Sequence, residues 1–387
     1  MADSADRGTI GPGSELDGFV IEGVAGRGGM GVVYRARQRQ PDRVVALKVI
    51  SANLGTDPQF RARFQRESSI AAQIEHPNVI PVYAIGEADD ILYIAMRFVD
   101  GTDMRSLIAG TRLEPRRAAT IIDQVAQALD AAHAHGLVHR DVKPANILIS
   151  SAGGRDHVYL SDFGLSRHVD GSQELTTTGA FLGTIDYVAP EQARGERVDA
   201  RTDTYSLGCV LFQALTGTVP YPLDNDLAKL YAHDAKPPPS ALERTPDLPA
   251  PFEAVLKRAM AKNPEDRYLS AGDLGRAALA AAGGEALSRA ERTVGVGAAA
   301  PGTANHVPER APDTAAGEAA EAPTDVDALT ESRAATGAPV SAVPAASTAG
   351  APSAAPPSRR GLMAGLAALA VIAAVVLVVV LAGGGDD

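Results

Sequence analysis

The first 282 residues mix two patterns of apolar and polar positions. Short apolar runs rich in branched residues, such as VVALKVI and ILYIAM, predict strands. A longer run, RRAATIIDQVAQALDAAHAHG, repeats apolar residues at a spacing near 3.6 and predicts an amphipathic helix. We therefore expect a globular region of strands and helices that ends at about Ala282.

The pattern changes after this region. From Gly283 to Ser358 the chain consists mainly of Ala, Pro, Gly, Ser and Thr with scattered acids. This composition offers too few large apolar side chains to offset the entropy lost on ordering, so we expect residues 283–358 to be a disordered linker. A flexible coil of 76 residues would span about 50 Å.

The last apolar segment, Gly361–Leu381, has 21 residues without a charge. As a helix it would be about 31 Å long, which matches the hydrocarbon core of a bilayer, so we predict one transmembrane helix. A buried core helix is the alternative, but behind a disordered linker it would have nothing to pack on. Arg359 and Arg360 precede the segment, so the positive-inside rule predicts a cytoplasmic N-terminal part and residues 382–387 outside. Residues 1–18 form a tail without the apolar region of a signal peptide.

Composition narrows the range of functions. The chain of 387 residues has 36 Lys and Arg against 47 Asp and Glu, a net charge of −11, which argues against nucleic acid as a partner. The one cysteine, Cys209, excludes an intramolecular disulfide and a cysteine-rich zinc site. Because Cys209 lies in the apolar run LGCVLF, we expect it in the core.

The first chemical motif is rich in glycine. Residues 26–33 read GRGGMGVV between two strand-like runs, and Lys48 follows 17 residues after Gly31 in the next apolar run. A dinucleotide-binding turn would lead into a helix, whereas this run leads into a second strand. Glycines there let the backbone close over phosphates, and a lysine on the next strand supplies a positive charge for their oxygens. On this motif alone, an ordinary glycine hairpin is the alternative.

Three further motifs follow in order. Residues 139–146 read HRDVKPAN, residues 162–164 read DFG and residues 189–191 read APE. Together with the glycine-rich run and Lys48, their order and spacing resemble the protein kinase family, specifically the bacterial eukaryotic-like (Hanks-type) Ser/Thr kinases. The resemblance covers about Phe19–Ala280.

The resemblance implies an α+β, two-lobed protein kinase fold in residues 19–282. A small lobe, mostly antiparallel sheet with one helix, would extend through about Val99, and a larger helical lobe through about Ala282. ATP would bind in the cleft between the lobes. The expected substrates are proteins with serine or threonine hydroxyls.

The resemblance also assigns the catalytic roles. Lys48 would hold the α- and β-phosphates, with Glu67 of the helix RFQRESSIAAQ as its ion-pair partner. The alternative for Glu67 is a solvated helix glutamate. Asp141 would accept the proton of the substrate hydroxyl. Lys143 would steady the transferred phosphate, a pattern of Ser/Thr rather than Tyr kinases.

Metal and nucleotide contacts follow from the matching motif positions. Asn146 and Asp162 carry oxygens suited to Mg²⁺ (or Mn²⁺), which also takes oxygens from the nucleotide. Apolar residues would enclose adenine and the hinge backbone would bond it, although Arg97 replaces a common hinge acid. The expected nucleotide-binding residues are Ala25, Gly26, Arg27, Gly28, Gly29, Met30, Gly31, Val32, Val33, Ala46, Lys48, Met96, Phe98, Val99 and Asp103.

Some motif residues are expected to be structural. Asp203 would fix the catalytic loop, and Glu191 and Arg267 would form a buried pair in the larger lobe. The histidines of the run AHAHGLVHR are not expected to bind a metal, because the first two have no acids or cysteines beside them and the last belongs to the HRD motif.

Residues 165–188 would form the activation loop. Thr176 and Thr178 align with the family's usual phosphorylation sites, and Arg140, directly before Asp141, would pair with a phosphothreonine. We expect autophosphorylation at both threonines; the alternative is a polar loop with unmodified threonines. A second copy of the chain is the candidate partner for phosphorylation in trans.

The sequence thus favours a Ser/Thr protein kinase in the cell membrane, anchored in lipid once through residues 361–381 and signalling in the cytoplasm. An inactive pseudokinase scaffold is the main alternative, but its usual sign, a missing motif Lys, Asp or Asn, is not found. A receptor for an outside ligand would need more than the six residues after the span. A small-molecule phosphotransferase is a further alternative, against which the APE motif and the loop before it argue.

Overall fold

The computed structural model describes residues 11–151, 154–163, 185–285, 295 and 299–300. All of these belong to the first of two units of the chain, Met1–Arg310, and the second unit is Ala311–Asp387. Most of the predicted linker, and the whole predicted membrane span, lie outside the described residues.

The first part of the described chain builds a six-stranded antiparallel sheet. Its strands are β1 (Glu15–Leu16), β2 (Phe19–Gly28), β3 (Gly31–Gln38), β4 (Arg43–Ile50), β5 (Val82–Ala88) and β6 (Ile91–Arg97), in the order β1-β2-β3-β4-β6-β5. In β3, Tyr34 and Ala36 are buried whereas Arg35 and Arg37 are exposed, because successive side chains of a strand point to opposite faces. The buried face forms one apolar core cluster of the small lobe.

The described chain also contains α-helices. They are α1 (Ala52–Gly55), α2 (Pro58–Ala72), α3 (Met104–Leu107), α4 (Pro115–Ala134), α5 (Pro190–Ala193), α6 (Ala200–Thr216), α7 (Asp226–Ala235), α8 (Ala241–Arg244), α9 (Pro251–Ala259) and α10 (Ala271–Ala282). α2 packs on the sheet through Phe60 and Phe64. Its first turn is capped by Asp57, whose side chain accepts the backbone N–H of Gln59 at 2.9 Å.

The larger lobe is built around α6, which is buried along nearly its whole length. Most of its sequence, ARTDTYSLGCVLFQALT, is apolar or small, which suits a helix enclosed on every side. α4 packs against both α6 and α10. Gly272 permits the close approach of α10 and α4, because a Cβ there would lie 2.3 Å from Oδ2 of Asp130. Cys209 is fully buried, as expected, and burial raises the pKa of its thiol to about 12.

A three-stranded sheet lies where the two lobes meet. Its strands are β7 (Thr102–Asp103), β8 (Ile147–Ser150) and β9 (His157–Leu160), in the order β7-β8-β9. Two residues of the connection from α2 to β5 bond to Leu160 through the backbone: Asn78 accepts at 2.8 Å and Ile80 donates at 3.0 Å. The β8–β9 hairpin is therefore tied to the segment that enters the small lobe.

The predicted α+β arrangement of a sheet-rich lobe and a helical lobe is confirmed. The exact domain boundaries, 19 and 282, stay predictions. Within the described ranges, no helix is both long enough and apolar enough to cross a bilayer.

Candidate active site

The turn between β2 and β3 carries the glycine-rich run. Gly31 has a φ of 148°, and a Cβ at this position would lie 1.9 Å from the carbonyl oxygen of Val49, so no larger residue fits without a shift. Arg27, Gly28 and Gly29 are exposed. The glycines therefore leave backbone N–H groups of the turn accessible to an anionic ligand.

Val33, Ala46 and Lys48 lie on one face of the sheet. Val33 is directly opposite Lys48, and Ala46 precedes Lys48 by two residues on the same strand. Met96 of β6 lies opposite Ala46 and is buried. The predicted Ala25 is an exposed residue of β2, close in sequence to the turn. This face places apolar side chains beside one cation, which suits an adenine ring followed by phosphates.

The ammonium group of Lys48 is buried against Asp162. Nζ of Lys48 lies 2.8 Å from Oδ1 of Asp162. Burial alone would raise the pKa of Asp162, but the charge and hydrogen bond of Lys48 outweigh it and hold this pKa below its usual value. The Asp162 carboxylate is therefore ionised at neutral pH.

The predicted ion pair between Lys48 and Glu67, both of which the structure describes, is not formed. Glu67 is buried on α2, with Oε1 3.4 Å from Nη1 of Arg140 and 3.6 Å from Nη2 of Arg66. Burial raises the pKa of Glu67, and the two arginines oppose that shift. Each predicted partner thus has another counterion, Asp162 for Lys48 and Arg140 for Glu67. Since both pairings balance charge, the sequence alone does not select between them.

A buried carboxylate fixes the backbone of the HRD motif. Asp203 of α6 accepts the N–H groups of His139 at 2.8 Å and of Arg140 at 2.7 Å, and His133 Nε2 lies 2.7 Å away. Burial alone would raise the pKa of Asp203, but its contacts with the two histidines lower it. Arg140 has a φ of 66°, which is uncommon outside glycine and is held by these bonds. Asp203 thus holds the loop, as expected.

His139 connects this loop to the end of β9. Its Nδ1 accepts the N–H of Asp141 at 3.2 Å, and its Nε2 donates to the carbonyl oxygen of Ser161 at 2.9 Å. The ring also packs on Phe163, with centroids 4.9 Å apart. Both ring nitrogens are therefore engaged. Across the described residues, no group of three His, Cys, Asp or Glu side chains is arranged to hold a metal.

Asp141, Lys143 and Asn146 contact one another. Oδ2 of Asp141 accepts from Nζ of Lys143 at 2.7 Å and from Nδ2 of Asn146 at 3.3 Å. Nδ2 of Asn146 also donates to the backbone oxygen of Asp141 at 2.8 Å. These bonds fix Oδ2 of Asp141, and Oδ1 takes part in none of them.

Asn146 and Asp162, the two predicted metal ligands, are joined through the residue between β9 and Asp162. Ser161 donates to the backbone oxygen of Asn146 through its N–H at 2.9 Å and its hydroxyl at 3.1 Å. Because Nδ2 of Asn146 is bonded to Asp141, its Oδ1 is the atom suited to a cation. An amide oxygen beside an ionised carboxylate fits Mg²⁺ or Mn²⁺, which prefer oxygen ligands.

The remaining predicted nucleotide contacts lie at the connection between the lobes. Phe98 and Val99 directly follow β6. Asp103 caps α3 by accepting the backbone N–H of Ser106 at 2.7 Å. This cap uses one oxygen of Asp103 and fixes its place beside the hinge; a contact to ribose stays a prediction.

The expected pair of Glu191 and Arg267 is present and fully buried. Both guanidinium nitrogens lie 2.8 Å from carboxylate oxygens, and Thr202 donates to the same carboxylate at 2.7 Å. Burial alone would raise the pKa of Glu191, but Arg267 outweighs it and lowers this pKa. Gln192, which none of the motifs includes, also supports the HRD loop, because its Nε2 donates to the backbone oxygen of Arg140 at 2.9 Å. Its place directly after the APE motif was the available signal.

Several predicted positions lie outside the described residues. They are Gly164 of the DFG motif, residues 165–184 of the predicted activation loop, and with them the phosphorylation candidates Thr176 and Thr178.

The sheet-rich lobe, the helical lobe and the cluster between them define the class: a protein kinase domain. A family profile described as the protein kinase domain matches residues 19–274. The chain belongs to this family.

Named relatives agree with this assignment. The chain is 46% identical over 272 residues to serine/threonine-protein kinase PknJ of Mycobacterium tuberculosis, covering 70% of this chain and 46% of the relative. It is 44% identical to serine/threonine-protein kinase PknE of the same species, covering 70% and 47%. The chain therefore spans about half the length of the curated relatives it matches. The crystal structure of the M. tuberculosis PknI kinase domain is similar at a TM-score of 0.59 and 33% identity, covering 71% of this chain and all of that domain.

Proposed function

We propose that this chain is a protein Ser/Thr kinase that transfers the γ-phosphate of ATP to protein hydroxyls. One observation carries the proposal. Oδ2 of Asp141 accepts hydrogen bonds from Lys143 at 2.7 Å and from Asn146 at 3.3 Å, beside the ion pair of Lys48 and Asp162. Phosphoryl transfer needs mainly positioning, charge neutralisation and an acceptor for the proton of the hydroxyl. The cluster supplies cations, oxygen ligands and a carboxylate.

Asp141 is the proposed proton acceptor. Its Oδ2 is engaged by Lys143 and Asn146, so Oδ1 is the atom that would take the proton of the incoming hydroxyl. The Asp141 side chain is 16% exposed, which leaves it reachable from the cleft. Lys143 would neutralise charge on the phosphoryl group as it moves to the acceptor.

ATP with Mg²⁺ or Mn²⁺ is the proposed nucleotide substrate. A divalent ion held by Asn146 and Asp162 would neutralise phosphate charge. The glycine-rich turn would cover the phosphates with backbone N–H groups, and Lys48 would bind their oxygens. The apolar face next to Lys48 would receive adenine.

Activation by autophosphorylation at Thr176 and Thr178, in trans by a second copy of the chain, is part of the proposal. Arg140 is held by Glu67 through a contact of 3.4 Å, which is long for an ion pair. A phosphothreonine would compete for Arg140 and release Glu67 to pair with Lys48. Phosphopeptide mapping of active enzyme should find both threonines modified, and bare threonines would contradict this step.

The cellular setting is also proposed. The uncharged segment 361–381 would anchor the chain in the cell membrane, with the kinase domain in the cytoplasm and residues 283–358 as the linker. The length of that segment and the two arginines before it support this arrangement.

Transfer of radiolabelled γ-phosphate to a generic basic protein, and to the chain itself, tests the proposed activity. We expect transfer by the unmodified chain and its loss in Asp141→Asn. Asp247→Asn is the matched control, because Asp247 pairs with Arg112 on the surface and should be dispensable. Equal labelling by Asp141→Asn, or no labelling by any variant, would contradict the assignment; the second result would favour the inactive scaffold.

A further inference from the structure

The side chain of Arg97 joins the two lobes behind the hinge. Arg97 is the last residue of β6, and its Nη1 donates to the hydroxyl of Tyr159 at 2.8 Å. The guanidinium carbon also lies 5.4 Å from the centroid of the Tyr159 ring. β6 belongs to the six-stranded sheet of the small lobe, whereas β9, which carries Tyr159, belongs to the three-stranded sheet.

Both partners are held independently of this contact. The backbone N–H of Arg97 donates to the carbonyl oxygen of Pro81 at 2.9 Å. The ring of Tyr159 meets His157 edge-on, with centroids 4.5 Å apart, and Nε2 of His157 lies 3.0 Å from the carbonyl oxygen of Pro77. The backbone of Arg97 and the ring of Tyr159 are therefore held in place before the contact forms, which lowers the entropy lost in forming it.

Tyr159 lies on the hairpin that carries both proposed metal ligands. β8 begins directly after Asn146, and β9 ends two residues before Asp162. Leu148 of β8 is opposite Tyr159 of β9, so the two strands move together. Arg97, in contrast, is followed directly by Phe98, where the adenine-binding hinge is proposed.

We propose that Arg97 is a positioning residue that couples the adenine-binding hinge to the metal-binding hairpin through Tyr159. The inference rests on the proposed function, since it assigns the hinge to adenine and the hairpin to a divalent ion. In this role Arg97 acts through Tyr159 and without contacting nucleotide or metal, by setting the distance between the hinge and the hairpin. An acid at this position could accept a bond from the tyrosine hydroxyl, but it would lack the attraction of a cation for the ring.

Calorimetric titration with ATP, in the presence and absence of Mg²⁺, tests this coupling. Arg97→Ala should weaken binding of ATP with Mg²⁺ about threefold to fivefold, the effect of losing an exposed cation contact and a hydrogen bond. Tyr159→Phe keeps the ring beside the guanidinium and loses only the hydrogen bond, so it should weaken this binding less, by about twofold to threefold. Binding of ATP without Mg²⁺ should change by less than about twofold, because the contact acts through the metal-binding hairpin. The double variant should bind no more weakly than Arg97→Ala alone, because Arg97→Ala already removes both parts of the contact.

The matched control is Arg43→Ala. Arg43 also lies over a tyrosine, at 3.5 Å from the centroid of Tyr83, but both residues belong to the sheet of the small lobe. We expect its affinity for ATP with Mg²⁺ to equal that of the unmodified chain.

Three results would overturn the inference: unchanged affinity in Arg97→Ala, equal weakening with and without Mg²⁺, or an effect of Arg43→Ala as large as that of Arg97→Ala. Equal weakening would mean that Arg97 only shapes the adenine pocket. If the unmodified chain does not bind ATP at all, the proposed function falls and this inference with it. If it binds ATP with Mg²⁺ and the variants do not differ, only this inference falls.

Discussion

Two expected ion pairs of the kinase domain have different outcomes in the structure. Glu191 and Arg267 form the expected pair inside the larger lobe, at 2.8 Å for both oxygens, and Arg267 also donates to three backbone carbonyl oxygens. Lys48 and Glu67, which face the cleft between the lobes, each pair with a different partner. Of two cation–glutamate pairs assigned from motif positions, one is therefore formed as expected and the other is rearranged.

The difference lies in the number of counterions within reach. Arg267 is fully buried and its donors are engaged within one lobe, so no other arrangement satisfies them. Lys48 has both Asp162 and Glu67 as candidate partners, and Arg140 competes for the glutamate. A pair that joins elements of two lobes, with alternative partners of the same charge, can exchange partners without leaving a buried charge unpaired. The first pair therefore supports the fold, and the second has the alternative partners that the proposed activation requires.

The largest effect is expected at the fixed pair. Arg267→Ala leaves the buried carboxylate of Glu191 without its cation and should lower the free energy of unfolding by about 3–5 kcal/mol. Denaturant unfolding measures this change. The matched control is Arg112→Ala, which removes an exposed bidentate pair with Asp247 and should change stability little. Equal stability of the two variants would contradict the conclusion that the buried pair of Glu191 and Arg267 supports the fold and the surface pair does not.

The next effect is expected on activity rather than stability. Lys48→Met removes the cation proposed for the phosphates and should lower the rate of phosphoryl transfer about 10²–10³-fold. Its melting temperature should fall much less than that of Arg267→Ala. The exposed Lys257 of α9 provides the control variant, Lys257→Met, which should keep full activity. If Lys48→Met unfolds as readily as Arg267→Ala, the role of Lys48 is to stabilise the fold and not to bind phosphates.

A pH effect is expected within the fixed lobe. Burial, reinforced by the nearby Lys262, lowers the pKa of His233 to about 3, against about 6.5 in an unfolded chain. Because the unfolded chain takes up the proton first, stability is complete above about pH 6.5 and is lost as the pH falls towards 3. Between pH 7 and 5 the unmodified chain should lose about 2 kcal/mol relative to His233→Gln. A constant difference between the two unfolding free energies over this range would disprove the neutral, buried histidine.

The smallest effect is expected at the exchangeable pair. Glu67→Gln removes a carboxylate that contacts Arg140 at 3.4 Å and whose pKa burial raises, so little electrostatic stabilisation is lost. Because the amide of the variant can still accept a bond from Arg140, the free energy of unfolding should change by about 1 kcal/mol or less. A loss as large as that of Arg267→Ala would show that Glu67 is fixed to Arg140 and is not free to move to Lys48.

The local sequence pattern predicted secondary structure elements correctly. The run VVALKVI lies in β4, and the helix predicted from RRAATIIDQVAQALDAAHAHG is α4. The elements depend on short-range periodicity, which a sequence records directly. The role of Asp203 was predictable for another reason, the resemblance to the kinase motifs, since its partners His139 and Arg140 lie 64 and 63 positions away.

Contacts between lobes were less predictable. The partner of Glu67 depends on where α2 lies relative to the HRD loop, and the bond from Arg97 to Tyr159 joins residues 62 positions apart. Asp103 was predicted to contact ribose, and the structure shows that its side chain also caps α3 by accepting the backbone N–H of Ser106. Tertiary placement decides contacts of this kind, and local sequence does not record it.

Phosphoamino acid analysis of the labelled product tests the central claim most directly. Acid hydrolysis of the basic protein after incubation with the chain, radiolabelled ATP and Mg²⁺ should release phosphoserine and phosphothreonine, and Asp141→Asn should yield neither. Label in phosphotyrosine, or the same labelled amino acids from Asp141→Asn, would contradict a Ser/Thr kinase that acts through the cluster at Asp141.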